Sequence, residues 1–369
     1  MGKTNVYIVG AGFSKYSGLP LQKDFTEALL TPRTDKEYPL HPFLKDLIDF
    51  IHDSFGHSRG AKAKFWPNLE DIFTNIDLAA NSGHYLGPGY PPSKLRETRR
   101  KLLACIMNML HERYLKSSLV KSTDSEQFKK LFMQLNIARD SFISMNWDTV
   151  IECKLEEYKN INNFNYHCEE IPAVFPTSKT VISKREFKNE SSMTIIKIHG
   201  STNWLYCDNC HQLYWFPPKD AMQVSLQIIK IEEGRHLKLP QLTGCSKWKC
   251  LNCQEVPLTT RIATFSYLKA LDFPMFERSW LSAERLLQYS KKWIFIGYSL
   301  PAADYEFKHL LKRVQLSRNI SPEFVVITGG QNSSQTFSNY QGFFGRSIKR
   351  MKNYFDCGLT NEAIRAIRA

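Results

Sequence analysis

Two groups of residues in this sequence have types and spacings suited to chemistry. The first is a glycine-rich turn: Gly10, Ala11 and Gly12 follow directly on the apolar run Val6-Tyr7-Ile8-Val9, and Ser14, Gly18 and Pro20 come after them. Such a turn between a strand and a helix lets backbone approach a pyrophosphate, whose charge the free N–H groups and dipole of the helix N-terminus stabilise. The common GxGxxG spacing is not met, and Gly-Ala-Gly alone also serves as an ordinary tight turn. The second group is Cys207, Cys210, Cys250 and Cys253, two CxxC pairs with 39 residues between them. Four thiolates close a tetrahedral zinc site with no open position for water, so zinc there is structural, with about 10–16 kcal/mol of apparent binding energy. Cys245 and His211 are competing ligands, but the two-pair geometry is simpler; the alternative is four reduced structural cysteines.

The elements that must position these groups alternate. Strands are expected at Val6–Val9, Phe142–Met145, Thr194–Ile198, Trp293–Gly297 and Phe324–Thr328, and helices at about 21–30, 68–80, 94–114, 125–137, 276–290 and 303–314. The helix over 94–114 reads as amphipathic, and 160–193 reads as a loop region rich in Asn, Lys and Glu. Strand and helix in alternation predict an α/β fold, a doubly wound, mostly parallel sheet of Rossmann type. We expect one such unit over residues 1–330, interrupted by a mostly helical insertion at 32–137 and a small cysteine module at 205–256. Residues 331–369 then form a basic tail with a short helix or two. Asn146, Asp148 and His199 each follow a predicted strand, at the edge where ligands bind in open α/β sheets.

Composition bounds the rest. With 43% hydrophobic and 23% charged residues over 369 positions, the chain reads as folded and neither fibrous nor disordered. No stretch approaches the roughly 18 apolar residues of a membrane span, and the N-terminus carries no charged-then-apolar leader. The expectation is therefore a cytoplasmic protein, in which nine cysteines favour free thiols or metal ligation over disulfides. A net charge of +13, with clusters at 96–101 and 346–352, suits phosphate-bearing partners. No nucleic-acid reader motif accompanies it, so direct nucleic-acid binding stays open.

Read whole, Gly10 to Pro20 (GAGFSKYSGLP) resembles the GAGxSxxSGIP signature of the sirtuin family. Four further segments follow in family order: MNWD at Met145–Asp148 is similar to the QNID loop, IHG at Ile198–Gly200 to the catalytic histidine motif, the CxxC pairs to the zinc module, and GYSL at Gly297–Leu300 to the ribose loop. The likeness spans residues 5 to 330. NWDTVIE (Asn146–Glu152) and GYSLPAADYEFKHLL (Gly297–Leu311) are similar to motifs of the bacterial SIR2-like branch associated with antiphage defence, whose members hydrolyse NAD. Departures from the deacetylase pattern point the same way: Leu21-Gln22-Lys23 stands in place of DFR, and Ala263–Pro274 lacks an FGE-type peptide clamp.

The resemblance implies an NAD hydrolase that releases nicotinamide and ADP-ribose. It carries over Asn146, His199 and Asp148 as catalytic residues, with Gly10, Ala11, Gly12, Ser14, Gly18, Pro20, Asn146, Asp148, Gly297, Tyr298, Ser299 and Asp304 around the dinucleotide. Cleavage of the nicotinamide–ribose bond passes through an oxocarbenium-like state. Asn146 would hold water or ribose hydroxyls, His199 would accept a proton, and Asp148 would orient the site. Each has an ordinary use too: an Asx turn or helix cap for Asn146 and Asp148, a hydrogen-bonded core position for His199. The resemblance further implies control through homo-oligomerisation or a partner such as a HerA-like ATPase. The alternatives are a protein deacetylase or ADP-ribosyltransferase at the same NAD site, and a silent scaffold or nucleic-acid-binding subunit.

Overall fold

The computed structural model describes residues 5–36, 38–58, 60, 62, 65–119, 126–177, 180–188, 191–228, 248–254, 258–264, 266, 269, 271–345 and 353–369. Its strands, in chain order, are β1 (Asn5–Val9), β2 (Asp140–Ser144), β3 (Phe164–Asn165), β4 (Glu170–Val174), β5 (Ser183–Lys184), β6 (Met193–Lys197), β7 (Trp204–Tyr206), β8 (Leu213–Trp215), β9 (Lys292–Ile296), β10 (Glu323–Ile327) and β11 (Asn353–Phe355). Seven of them form one sheet in the order β11-β10-β9-β1-β2-β6-β3, every pairing parallel. The expected doubly wound parallel sheet is therefore present.

The central strands β2, β6 and β9 are buried along their whole length because both faces of the sheet are covered, and their period-two geometry sorts alternate residues to opposite sides. Tyr7, Val9, Phe142 and Ile195 enter one core with the helices His41–Phe55, Leu69–Ser82, Pro92–Leu119 and Glu126–Gln134. Val6, Ile8, Ile143 and Ile196 enter the other with Pro274–Tyr289, Tyr305–Ser317 and Ser333–Phe344. The helix Leu69–Ser82 starts where its sequence predicts, because the Asn68 side chain accepts the Asp71 N–H at 2.8 Å.

Three parts differ from the sequence-based expectation. The helix expected to be amphipathic over 94–114 is buried on every side from Leu102 to Leu110, because helices pack around it. The region read as loop, 160–193, contains β3, β4 and β5. β4 and β5 join the cysteine-bearing hairpin β7–β8 in a second sheet, ordered β5-β4-β8-β7; strands of two to five residues in polar surroundings leave no periodicity to read. The segment after residue 330 has the expected short helices, Ser333–Phe344 and the Thr360-capped Asn361–Arg368, but it also contributes a parallel strand, β11, beside β10.

The basic cluster at 96–101 is largely consumed in packing: Arg96 donates to the Ala80 carbonyl, Arg99 pairs with Asp77 and Lys101 with Asp46 and Glu97. The cluster at 346–352 and Cys245 lie outside the described residues. Among the described residues no helix is long and apolar enough to cross a membrane.

Candidate active site and cysteine cluster

The chain runs outward from β1 to β2 and β6 on one side, then returns to place β9 and β10 on the other. The order of connection reverses beside β1, and a cleft of about 1480 Å³ opens at the carboxyl ends of the strands. Gly10, Ala11, Gly12, Ser14, Gly18, Pro20, Asn146, Asp148, His199, Gly297, Tyr298, Ser299 and Asp304 all line it. Every residue singled out in the sequence for nucleotide chemistry thus borders the same space.

Two glycines allow the β1 and β9 loops to touch. A Cβ on Gly12 would lie 2.7 Å from Gly297 Cα, and one on Gly297, whose φ is +62°, would lie 2.3 Å from Phe13 N. The two loops are stitched by the Gly12 N–H donating to Gly297 O at 2.9 Å and the Gly10 N–H donating to Ile296 O at 3.2 Å, while the Gly297 N–H ties the β9 loop to β10 through Ile327 O at 2.9 Å. A side chain at either position would force the floor of the cleft apart.

The polar residues on the floor form one network. Asn146 Nδ2 donates to the Gly10 carbonyl at 2.9 Å and to Ser14 Oγ at 2.8 Å, and Ser14 Oγ donates to Asp148 Oδ2 at 2.7 Å. A carbonyl can only accept, so this end of Asn146 must be its NH₂ group, and both its hydrogens are engaged. What Asn146 can offer a ligand is its carbonyl oxygen, an acceptor for water or a hydroxyl. Asp148 also accepts the Val150 N–H at 3.1 Å, an Asx-type contact at the start of the helix Val150–Lys159. Beneath it, fully buried Lys197 donates to the Asp148 carbonyl and pairs with Glu152 at 3.3 Å. Burial raises the Glu152 carboxyl pKa, against the opposing pull of Lys197.

His199 is buried, and its Nδ1 lies 3.3 Å from the Met145 carbonyl. That partner places the ring proton on Nδ1 and leaves the Nε2 lone pair free. Asp304 stands 4.0 Å from Nε2, beyond direct hydrogen bonding. Burial lowers the His199 pKa more than Asp304 raises it, so the ring is neutral near pH 7 and able to take a proton. Asp304 itself accepts from Tyr298 OH at 3.1 Å and pairs with Lys269 at 3.4 Å.

Some cleft residues were not anticipated. Lys269, in the Ala263–Pro274 segment that matched no pattern, reaches the cleft and bonds the Ala303 carbonyl. Gln22, in the Leu21-Gln22-Lys23 stretch that stands in place of DFR, lines the cleft, and its amide donates to Glu70. Burial raises the Glu70 pKa despite that bond. Both contacts join residues dozens of positions apart, which local pattern does not reveal.

The four cysteines also converge: the Sγ atoms of Cys207, Cys210, Cys250 and Cys253 lie within 4.8 Å of one another. The closest contacts are Cys207 to Cys253 at 3.5 Å and Cys210 to Cys250 at 3.4 Å. Zn–S bonds of about 2.3 Å in a tetrahedron put sulfurs about 3.8 Å apart, so the donor set fits one zinc ion. Both CxxC turns have the same form. The His211 N–H donates to Cys207 O, the Gln254 N–H donates to Cys250 O, and both donor residues have φ of 60°. His211 thus shapes the first turn, and it is not part of the cluster. All four protein ligands are sulfur, so the cluster could hold a structural ion.

No protein-family model matches this chain, and no curated protein matches it. Solved structures that resemble it include one described as the structural basis for sirtuin substrate affinity, at 13% identity over 100% of this chain and 93% of that one, with a TM-score of 0.38. A Sir2–p53 peptide–NAD+ complex matches at 12% identity with the same coverage and a TM-score of 0.38. Sir2Tm bound to a propionylated peptide matches at 12%, again over 100% and 93%, with a TM-score of 0.39. Likenesses this remote carry no argument for activity, which must rest on the chemistry of the cleft itself.

Proposed function

We propose that the cleft binds NAD and hydrolyses its nicotinamide–ribose bond, with Asn146, His199 and Asp148 as the catalytic residues. The observation that carries this reading is the convergence of a neutral, buried imidazole, an amide with a free acceptor and a glycine-stitched turn on one cleft at the sheet's switch point. Nicotinamide leaves with the electron pair of the broken C–N bond. Water held by the Asn146 oxygen adds to the ribose cation, and its proton passes to His199 Nε2. Asp148, fixed by Ser14 and Val150, orients Asn146 through the shared serine. The dinucleotide would lie along Gly10, Ala11, Gly12, Ser14, Gly18 and Pro20 on one side and Gly297, Tyr298, Ser299 and Asp304 on the other. Cys207, Cys210, Cys250 and Cys253 would hold zinc as a brace.

By resemblance to SIR2-like defence effectors, we assign this activity to NAD depletion during phage infection, in the cytoplasm. Control by homo-oligomerisation or a HerA-like ATPase belongs to the same reading. The cleft volume exceeds the roughly 300–1,000 Å³ usual for one small ligand, which favours a second reading in which an acyl-lysine peptide enters beside NAD.

The test is to incubate purified protein with NAD, with and without acyl-lysine peptide, and to quantify nicotinamide, ADP-ribose and acyl-ADP-ribose. Hydrolysis without peptide, lost in folded Asn146→Ala and His199→Ala, supports the first reading. Turnover only with peptide supports the second, and variants as active as wild type contradict both.

A further inference from the structure

We infer that Lys197 and Glu152 are the positioning pair of the cleft: Lys197 holds the Asn146–Asp148 turn from beneath, and Glu152 holds Lys197. The inference rests on the reading of the cleft as an NAD-cleaving site. Lys197 ends β6, two residues before His199, and both members of the pair have no exposed surface. The ammonium donates to the Asp148 carbonyl and lies 3.3 Å from Glu152 Oε1, which also accepts from Tyr166 OH at 3.1 Å.

Stability does not explain such a pair. Removing two charges from water costs more than their attraction returns unless the remaining lone pairs are satisfied. Here, among the described residues, Glu152 Oε2 is buried with no hydrogen-bond partner, as is Asn203 Oδ1, whose own amide nitrogen lies 3.5 Å from Tyr166 OH. Two apolar side chains could fill the same space, but they could not grip a peptide carbonyl.

That grip bears directly on the cleft floor. Asp148 is held at three points: its carbonyl by Lys197, and its carboxylate by Ser14 at 2.7 Å and by the Val150 N–H at 3.1 Å. Ser14 also receives Asn146 Nδ2 at 2.8 Å. Releasing the carbonyl therefore lets the turn rotate and carries Asp148 and Asn146 with it. A misplacement of about 1 Å at reacting groups lowers turnover about 100-fold.

The decisive variant is Lys197→Met with Glu152→Leu, because the single Lys197→Met leaves a buried carboxylate alone and is prone to unfold. Three readouts are compared with wild type: melting midpoint, kcat and KM for NAD, and hydrogen exchange of the amides at 146–150. We expect an unchanged midpoint, little change in KM, a kcat about 100-fold lower and faster exchange confined to that turn. Glu152→Gln, which keeps an acceptor for Lys197 and Tyr166, should retain most of kcat and the slow exchange. A double variant with wild-type kcat and exchange overturns the proposal, and so does one that no longer folds, since the pair would then be a stability element. If wild type itself does not cleave NAD, the functional reading fails on its own, and exchange at 146–150 still decides the positioning claim: faster supports it, unchanged overturns it.

Discussion

The cleft and the cysteine cluster are both gathered from segments far apart in the chain, yet they are held by different means. The cleft is built on the ends of β1, β2, β6, β9 and β10, neighbours in a parallel sheet covered by helices on both faces. Glycine backbone contacts and the Asn146–Ser14–Asp148 network tie its floor together. The cluster sits on a turn between two three-residue strands and on a second turn at 250–253. Where strands are long and central, site geometry is a property of the sheet; β7 and β8 are short but packed into the same core, and the turns that carry the cysteines could be braced further by a bound ion. The two regions are also joined. Thr259 bonds Tyr206 beside Cys207, while the Ala263 N–H donates to the His199 carbonyl at 3.1 Å and Trp147 Nε1 donates to Ala263 O at 3.0 Å.

The largest expected effect breaks this comparison from the cluster side. A zinc site of four thiolates contributes about 10–16 kcal/mol of apparent binding energy, so stripping the metal should release amide protection in 204–215, 248–254 and 258–260 while β1, β2 and β9 stay protected. Elemental analysis should find one zinc per chain. Absence of zinc, or an unchanged melting profile after chelation, removes the cluster from the account.

From the cleft side, Gly297→Ala forces a Cβ against Phe13 N at a left-handed φ, at a cost of about 3 kcal/mol. Urea unfolding should show this loss with and without chelator. A loss that vanishes in metal-free protein would mean the two regions unfold as one unit.

A smaller effect sharpens the comparison by pH. Burial lowers the pKa of His199 and of His111 from 6.5, so the unfolded chain takes up protons before the folded one does. Their contribution to stability is intact above 6.5, declines as pH falls through 6.5, and levels off once pH is below the depressed folded values. In His199→Gln, urea midpoints measured over about pH 5 to 8 should lose part of that decline; identical profiles would show that His199 is not buried as described.

Much of the cleft was legible because its motifs are contiguous. Gly10 to Pro20, Met145–Asp148, Ile198–Gly200 and Gly297–Leu300 each sit at a strand end, and the strands announce themselves as short apolar runs bounded by turn residues. What joins the motifs was not legible. The bonds from Lys197 to Asp148, Tyr166 to Glu152, Gln22 to Glu70 and Lys269 to Asp304 link distant positions with no local signature. The Arg96–Lys101 run read as a basic cluster suited to phosphate-bearing partners, yet it ties its own helix to the helices His41–Phe55 and Leu69–Ser82, since charge in a sequence does not reveal its partners. β3, β5 and β11 are two or three residues long, too short for alternation to be counted.

The central claim is tested most directly by a crystal structure with a non-hydrolysable NAD analogue. The account predicts the dinucleotide across the ends of β1 and β9, with the nicotinamide ribose or its attacking water about 3 Å from Asn146 Oδ1 and His199 Nε2. A dinucleotide bound elsewhere, or bound there with both side chains turned away from the sugar–base bond, would contradict it.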